Sequence, residues 1–148
     1  MLAAPMAERM TLIDMPDDKD HVPRTCIAVP TTRQRMRERG YNQADLLAQA
    51  YAKNTGLTHA DWLVRTGARG TQTTLQPAAR AANVAGAFAL VRGAHEVVRN
   101  AHVLLVDDVL TTGATAAECA STLGAAGACC VSILTFARAL DARRLIQT

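Results

Sequence analysis

The sequence predicts an α/β domain built on a mainly parallel sheet of five strands flanked by helices. Five short apolar runs are near-continuous rather than alternating, as strands covered on both faces require. Segments with helical spacing fall between them, the signature of strand–helix–strand units. At 148 residues and 49% hydrophobic content, the chain is long enough to bury one sizeable core.

Residues 1–24 read as a lead-in, with Asp14, Asp17, Asp18 and Asp20 beside Pro16 and Pro23 forming a polar, acidic surface loop. Residues 25–148 read as the domain proper. Cys26-Ile27-Ala28-Val29 is a buried strand that Pro30 ends. Asn42 caps the next helix, with Asp45 three residues on, close to a capping box. Leu47, Ala50 and Tyr51 recur along it at spacings of three and four, and Gly56 lies just past its end. Trp62-Leu63-Val64 is the second strand. Residues 66–82, with Gly67, Gly70 and Pro77 beside Thr71, Thr73 and Thr74, read as a long loop of the kind that serves as a functional lid. Ala87–Val91 and Val103–Val106 are the third and fourth strands. A helix opens near Thr115, with Glu118 completing a Thr-x-x-Glu capping box and Ala116, Ala120, Leu123 and Gly127 along its buried side. Val131–Phe136 is the fifth strand.

Composition excludes several classes of function. Arg, Asp or His interrupts every apolar run before about 18 residues, so no segment spans a membrane as a helix. The net charge of +3 is too small to demand a nucleic-acid partner, and 3% aromatics are too few for base-stacking platforms. The 16 basic residues divide into 14 arginines and two lysines, and arginine's planar fork suits phosphate oxygens. Cys26, Cys119, Cys129 and Cys130 form no CxxC pair and no metal-ligand spacing with histidine. They read as buried or half-buried free thiols in a reducing cytoplasm, where the lack of a signal-peptide pattern also places the chain.

The chemistry concentrates in Val103-Leu104-Leu105-Val106-Asp107-Asp108-Val109-Leu110-Thr111-Thr112-Gly113-Ala114-Thr115. A buried strand ends in two carboxylates, and a Thr/Gly turn then enters a helix. Ligands of open α/β sheets bind beyond the carboxyl ends of the strands. Turn amides and the positive helix N-terminus surround a phosphate, with Thr111, Thr112 and Thr115 adding hydroxyls. Two acids beside a phosphate need partners of their own, and sugar hydroxyls or a Mg²⁺ ion carried by the ligand supply them. A phosphorylated ribose satisfies both halves. A Walker B strand would need a GxxxxGK[ST] loop, which is absent. A receiver domain would need a phosphate-accepting Asp downstream, where Asp141 alone remains.

This segment resembles the phosphoribosyl-diphosphate (PRPP) signature of type I phosphoribosyltransferases, and the chain as a whole resembles the ComF family, a competence-protein branch. The resemblance runs from about Ile27 to Arg138. It includes Arg37-Glu38-Arg39-Gly40-Tyr41-Asn42-Gln43-Ala44, Gln72-x-x-Leu75, Arg80-x-x-Asn83-Val84-x-Gly86-Ala87-Phe88 and Leu134-Thr135-x-Ala137-Arg138. It implies a type I phosphoribosyltransferase fold with a flexible hood loop over residues 66–82; Gln72 and Arg80 within it and Asn83 just past it belong to the matching motif. It also implies an N-terminal zinc module, for which residues 1–24 hold no cysteine cluster. Asp107 and Asp108 would act at the ribose hydroxyls. Thr111, Thr112, Gly113, Ala114 and Thr115 would hold the 5-phosphate. Arg37 and Arg39, in a loop after Pro30 that also carries Arg33 and Arg35, would hold the diphosphate. Mg²⁺ would enter with PRPP and not at a preformed protein site. The expected activity is transfer of ribose 5-phosphate to an amine or nucleobase. The alternative is a non-catalytic PRPP- or nucleotide-binding module among the proteins of a DNA-uptake apparatus, and homo-oligomerisation stays open.

Overall fold

In the computed structural model, residues 11–13, 24–66 and 85–138 are described. The elements are β1 (Thr11–Ile13), β2 (Thr25–Ala28), α1 (Arg33–Arg39), α2 (Gln43–Thr55), β3 (Thr58–His59), β4 (Leu63–Arg65), β5 (Phe88–Leu90), α3 (Ala94–Val98), β6 (His102–Leu110), α4 (Ala114–Ala125) and β7 (Cys130–Arg138). The central sheet has the order β1-β7-β6-β2-β3. β7, β6, β2 and β3 run parallel, and β1 joins β7 antiparallel at the edge.

Side-chain alternation along the central strands sorts the core onto two faces. On one face Cys26, Ala28, Leu104, Val106 and Leu134 pack under Ala44, Leu47, Ala48 and Ala52 of α2, which recur at helical spacing. On the other, Ile27, Val29, Val103 and Leu105 pack under Ala116, Cys119 and Leu123 of α4 and against Phe88 and Val98. Leu104 and Leu105 are 1% and 0% exposed, so truncating either to alanine leaves a cavity worth about 2–5 kcal/mol.

Five strands do form the sheet, but two of the expected ones lie elsewhere. The runs around Trp62–Val64 and Ala87–Val91 become β4 and β5, which pair antiparallel with each other in a separate two-stranded sheet, Leu63 opposite Leu90 and Arg65 opposite Phe88. A parallel pair needs a crossover of a dozen or more residues, usually helical, and no helical periodicity links these two runs. Their places in the main sheet go to β3 and to β1, which lies within the residues expected to be a loose lead-in.

β6 also runs further than its apolar run suggests. Its ladder with β7 continues through Asp107↔Thr135 to Leu110↔Arg138. The acid pair is therefore inside the strand and not beyond its end. Cys26 and Cys119 are buried on opposite faces as expected of free thiols, Cys130 is half-buried, and Cys129 is exposed because it precedes the paired part of β7. The expected hood, residues 66–82 with Gln72 and Arg80, lies outside the described residues apart from Thr66, as does Asn83 just past it. No helix among the described residues is long and apolar enough to cross a membrane.

Candidate functional site

The site follows from where neighbouring parallel strands part. Val29 N donates to Val106 O at 2.8 Å, and Pro30, which has no N–H, then ends the pairing of β2 with β6. After β2 the chain passes through α2 to β3 on one side. After β6 it passes through α4 to β7 on the other. The gap between the two carboxyl ends is the switch point where open α/β sheets bind ligands. A cleft of about 800 Å³ opens there. Asp107, Asp108, Thr111 and Thr115 form one wall, and Pro30, Thr31, Thr32, Arg35 and Arg39 form the opposite one.

The expected diphosphate loop is a helix. Thr32 Oγ1 accepts from Arg35 N at 3.1 Å, and Gly40 closes α1 in the left-handed conformation (φ 79°) with its N–H on Met36 O. None of its residues is buried, so capping holds it and an apolar stripe does not. On a helix, residues four apart share a face. Arg35 and Arg39 therefore both line the cleft, whereas Arg37 does not, and its Nε donates to Arg33 O at 3.4 Å. Arg39 also donates to Gln43 Oε1. Asn42 fixes this wall: its Oδ1 caps α2 through Ala44 N, and its Nδ2 donates to Val29 O at 3.0 Å. Asp45 completes no capping box. Gln49 Nε2 donates to its Oδ2 at 2.8 Å, and its Oδ1 lies beside His59.

On the opposite wall, Asp107 Oδ1 accepts from Asp108 N and Asp108 Oδ1 from Val109 N, each at 3.0 Å. These contacts fix both carboxylates against their own backbone. Burial raises the Asp107 carboxyl to about 6, the nearby Asp108 charge adds to the effect, and Arg35 across the cleft opposes it. Gly113, at φ 79°, turns the chain from β6 into α4 as its N-cap, a conformation that favours glycine. Thr115 lies inside the first turn of α4 and is not its cap. Glu118, instead of closing a capping box, accepts from Gly86 N at 2.6 Å. Thr112 Oγ1 accepts from Ala114 N at 3.4 Å. Thr111 and Thr115 line the cleft, while Thr112, Gly113 and Ala114 complete the turn between them. With no acid in its first turn, the N-terminus of α4 presents an uncompensated positive end.

One cleft residue escaped sequence reasoning. Arg65, at the end of β4, lines the cleft, and its guanidinium carbon lies 5.2 Å from the centre of the Phe88 ring. This cation–π contact across the β4–β5 pair holds the arginine in the wall. The available signal was a basic residue directly following an apolar strand. Cys119 lies beneath the site, its thiol pushed up to about 12 chiefly by burial, and so stays inert.

The family model of the phosphoribosyl transferase domain matches residues 44–148. DNA utilization protein YhgH of Escherichia coli K12 is 35% identical over 138 residues, which is 90% of this chain and 55% of that protein. Competence protein F of Haemophilus influenzae is 35% identical over 119 residues, 80% of this chain and 52% of that protein. The chain thus spans about half the length of the curated relatives it matches. Among solved structures, an allosteric regulatory enzyme of purine biosynthesis superposes on 91% of the chain and 24% of its own length, with a TM-score of 0.54 and 22% identity. The glutamine PRPP amidotransferase of B. subtilis, complexed with ADP and GMP, covers 89% of the chain and 24% of its own length, with a TM-score of 0.53 and 20% identity. At these identities the structures establish a shared fold.

Proposed function

Because this chain belongs to the phosphoribosyltransferase domain family, in its ComF branch, we propose that the cleft between β2 and β6 binds PRPP with Mg²⁺ and transfers ribose 5-phosphate to an amine or nucleobase. One observation carries the reading: an acid pair and a Thr/Gly helix-entry turn face a helix presenting Arg35 and Arg39 across a single cleft of about 800 Å³. A sugar carrying phosphate at one end and diphosphate at the other matches that sequence of donors and acceptors.

In this reading Asp107 and Asp108 accept hydrogen bonds from the ribose hydroxyls. Thr111, Thr115 and the first amides of α4 take the 5-phosphate. Arg35 and Arg39, with Arg65 on the third side, take the diphosphate through charge-assisted bonds. The reacting centre passes through a ribosyl cation-like state as the C1–oxygen bond to diphosphate breaks and the acceptor nitrogen adds. Positioning and charge therefore carry the rate, with no nucleophilic side chain required. The carboxylates of Asp107 and Asp108 are hard oxygen donors and would suit a divalent cation carried in with the ligand. Such an ion supplies neutralisation of the leaving group's charge.

Calorimetry with PRPP, with and without Mg²⁺, tests binding. Diphosphate release across a panel of amines and nucleobases tests transfer. The names of the curated relatives favour a second reading, a PRPP- or nucleotide-binding module that serves DNA utilization or uptake without turnover. Saturable PRPP binding with no diphosphate release from any acceptor selects that reading. Absence of PRPP binding overturns the transfer reading, and absence of nucleotide binding as well overturns both.

A further inference from the structure

A second cavity of about 350 Å³ adjoins the cleft and shares Pro30, Thr31, Thr32, Asn42 and Arg65 with it. On its far side Asp45 and Asp61 open into it, and His59 stands behind them. We propose that Asp45, His59 and Asp61 bind one divalent cation of the zinc class, separate from any Mg²⁺ in the main cleft.

Three elements bring these groups together. Asp45 lies in the first turn of α2, His59 ends β3, and Asp61 follows in the turn toward β4. The pairing of Cys26 with His59, extended by Ala60 N donating to Cys26 O at 3.1 Å, sets the height of the last two against the sheet. One ligand atom from each residue lies within 4.8 Å of the others, and His59 Nε2 is 2.9 Å from Asp45 Oδ1. Ligands about 2.0–2.1 Å from a tetrahedral ion stand roughly 3.3 Å apart, so the His59–Asp45 contact would open slightly to admit one.

The surroundings fit as well. Gln49 Nε2 holds Asp45 Oδ2 at 2.8 Å, the outer partner that ligating carboxylates have, while Oδ1 faces His59 Nε2, so an ion entering between them would replace that hydrogen bond. Among the described residues Asp45 Oδ1 is hydrogen-bonded to His59, and no arginine stands within ion-pair distance of either carboxylate. A divalent cation would neutralise the two acids, and the cavity leaves room for water at its remaining positions. Imidazole among the ligands favours zinc-class ions over Mg²⁺. Binding would clamp α2 to β3 beside the wall that both cavities share.

Zinc titration of the Cys129→Ser/Cys130→Ser chain tests this without thiol ligands at the start of β7. One equivalent should bind saturably. His59→Gln and Asp61→Asn, each made in that background, should lower the affinity on the order of 100-fold. Asp61 is exposed, so its variant should retain the parent's circular dichroism and ion-free melting temperature. Cobalt should give visible absorption bands in the parent that are missing in the His59→Gln chain. The absence of saturable 1:1 binding overturns the proposal, as does binding that survives either substitution.

Discussion

Replacing Asp107 by asparagine should stabilise the ligand-free protein at neutral pH. Burial, reinforced by Asp108, raises the Asp107 carboxyl from 3.8 to about 6. Between those values the folded state keeps a proton that the unfolded chain has released. The associated stability is fully present below about pH 4 and is lost as pH rises to about 6. Two pH units at 1.36 kcal/mol each give a loss of roughly 3 kcal/mol at neutral pH. Asparagine keeps the shape of the side chain but does not ionise, so the variant escapes this loss. Urea unfolding of both proteins from about pH 4 to about pH 7.5 measures it. The variant's relative stability should climb with pH by up to roughly 3 kcal/mol and level off above about pH 6.5. A constant offset between the proteins reflects the altered hydrogen bonding of the amide, and the slope is the readout. A difference that does not change with pH would refute the burial argument for Asp107.

Three further outcomes follow from the cleft geometry. Asp107→Asn with Asp108→Asn should lower PRPP affinity by about 10²-fold or more, since each charge-assisted acceptor is worth on the order of 1.5–3 kcal/mol; inorganic sulfate should still bind at the Thr111–Thr115 turn, detectable by calorimetry. PRPP affinity should collapse when a chelator removes Mg²⁺, and calorimetry of Mg²⁺ with the ligand-free chain should show weak heat at most. Arg35→Ala and Arg39→Ala should each cost roughly tenfold or more in PRPP affinity while Arg37→Ala leaves it within about twofold, and equal losses at all three would contradict the helical placement of these arginines.

The legible parts of the fold were those whose signals are local. β2, β6 and β7 are apolar runs buried on both faces, and α2 announces itself with Asn42 and Gly56 at its two ends. α1 gave no such signal, because none of its residues is buried and its arginines alternate in sequence. Read as a loop, that alternation makes all four equivalent. Wound into a helix, it separates Arg35 and Arg39 from Arg33 and Arg37, so the expectation for the diphosphate met the cleft at Arg39 and not at Arg37. β1 and β3 are three and two residues long, and their existence depends on distant partners that no short window contains. The same holds for Arg65, whose position is set by pairing with Phe88, 23 residues away in sequence. The acid pair and the helix-entry turn were readable as a ligand site because both lie on one short segment.

The continued β6–β7 ladder has a thermodynamic consequence for the acid pair. In a loop, Asp107 and Asp108 would surrender backbone freedom when a ligand arrived, at roughly 1–2 kcal/mol for each residue fixed. Here the ladder extends past them to Leu110↔Arg138, so folding has already met that cost. Within this segment, ordering on ligand arrival is then confined to the turn from Thr111 to Gly113, leaving the grip on a sugar set by the sheet and the grip on a phosphate free to adjust. Calorimetric entropies of two ligands would register this asymmetry: one bearing a ribose alone should order the chain less than one bearing a phosphate.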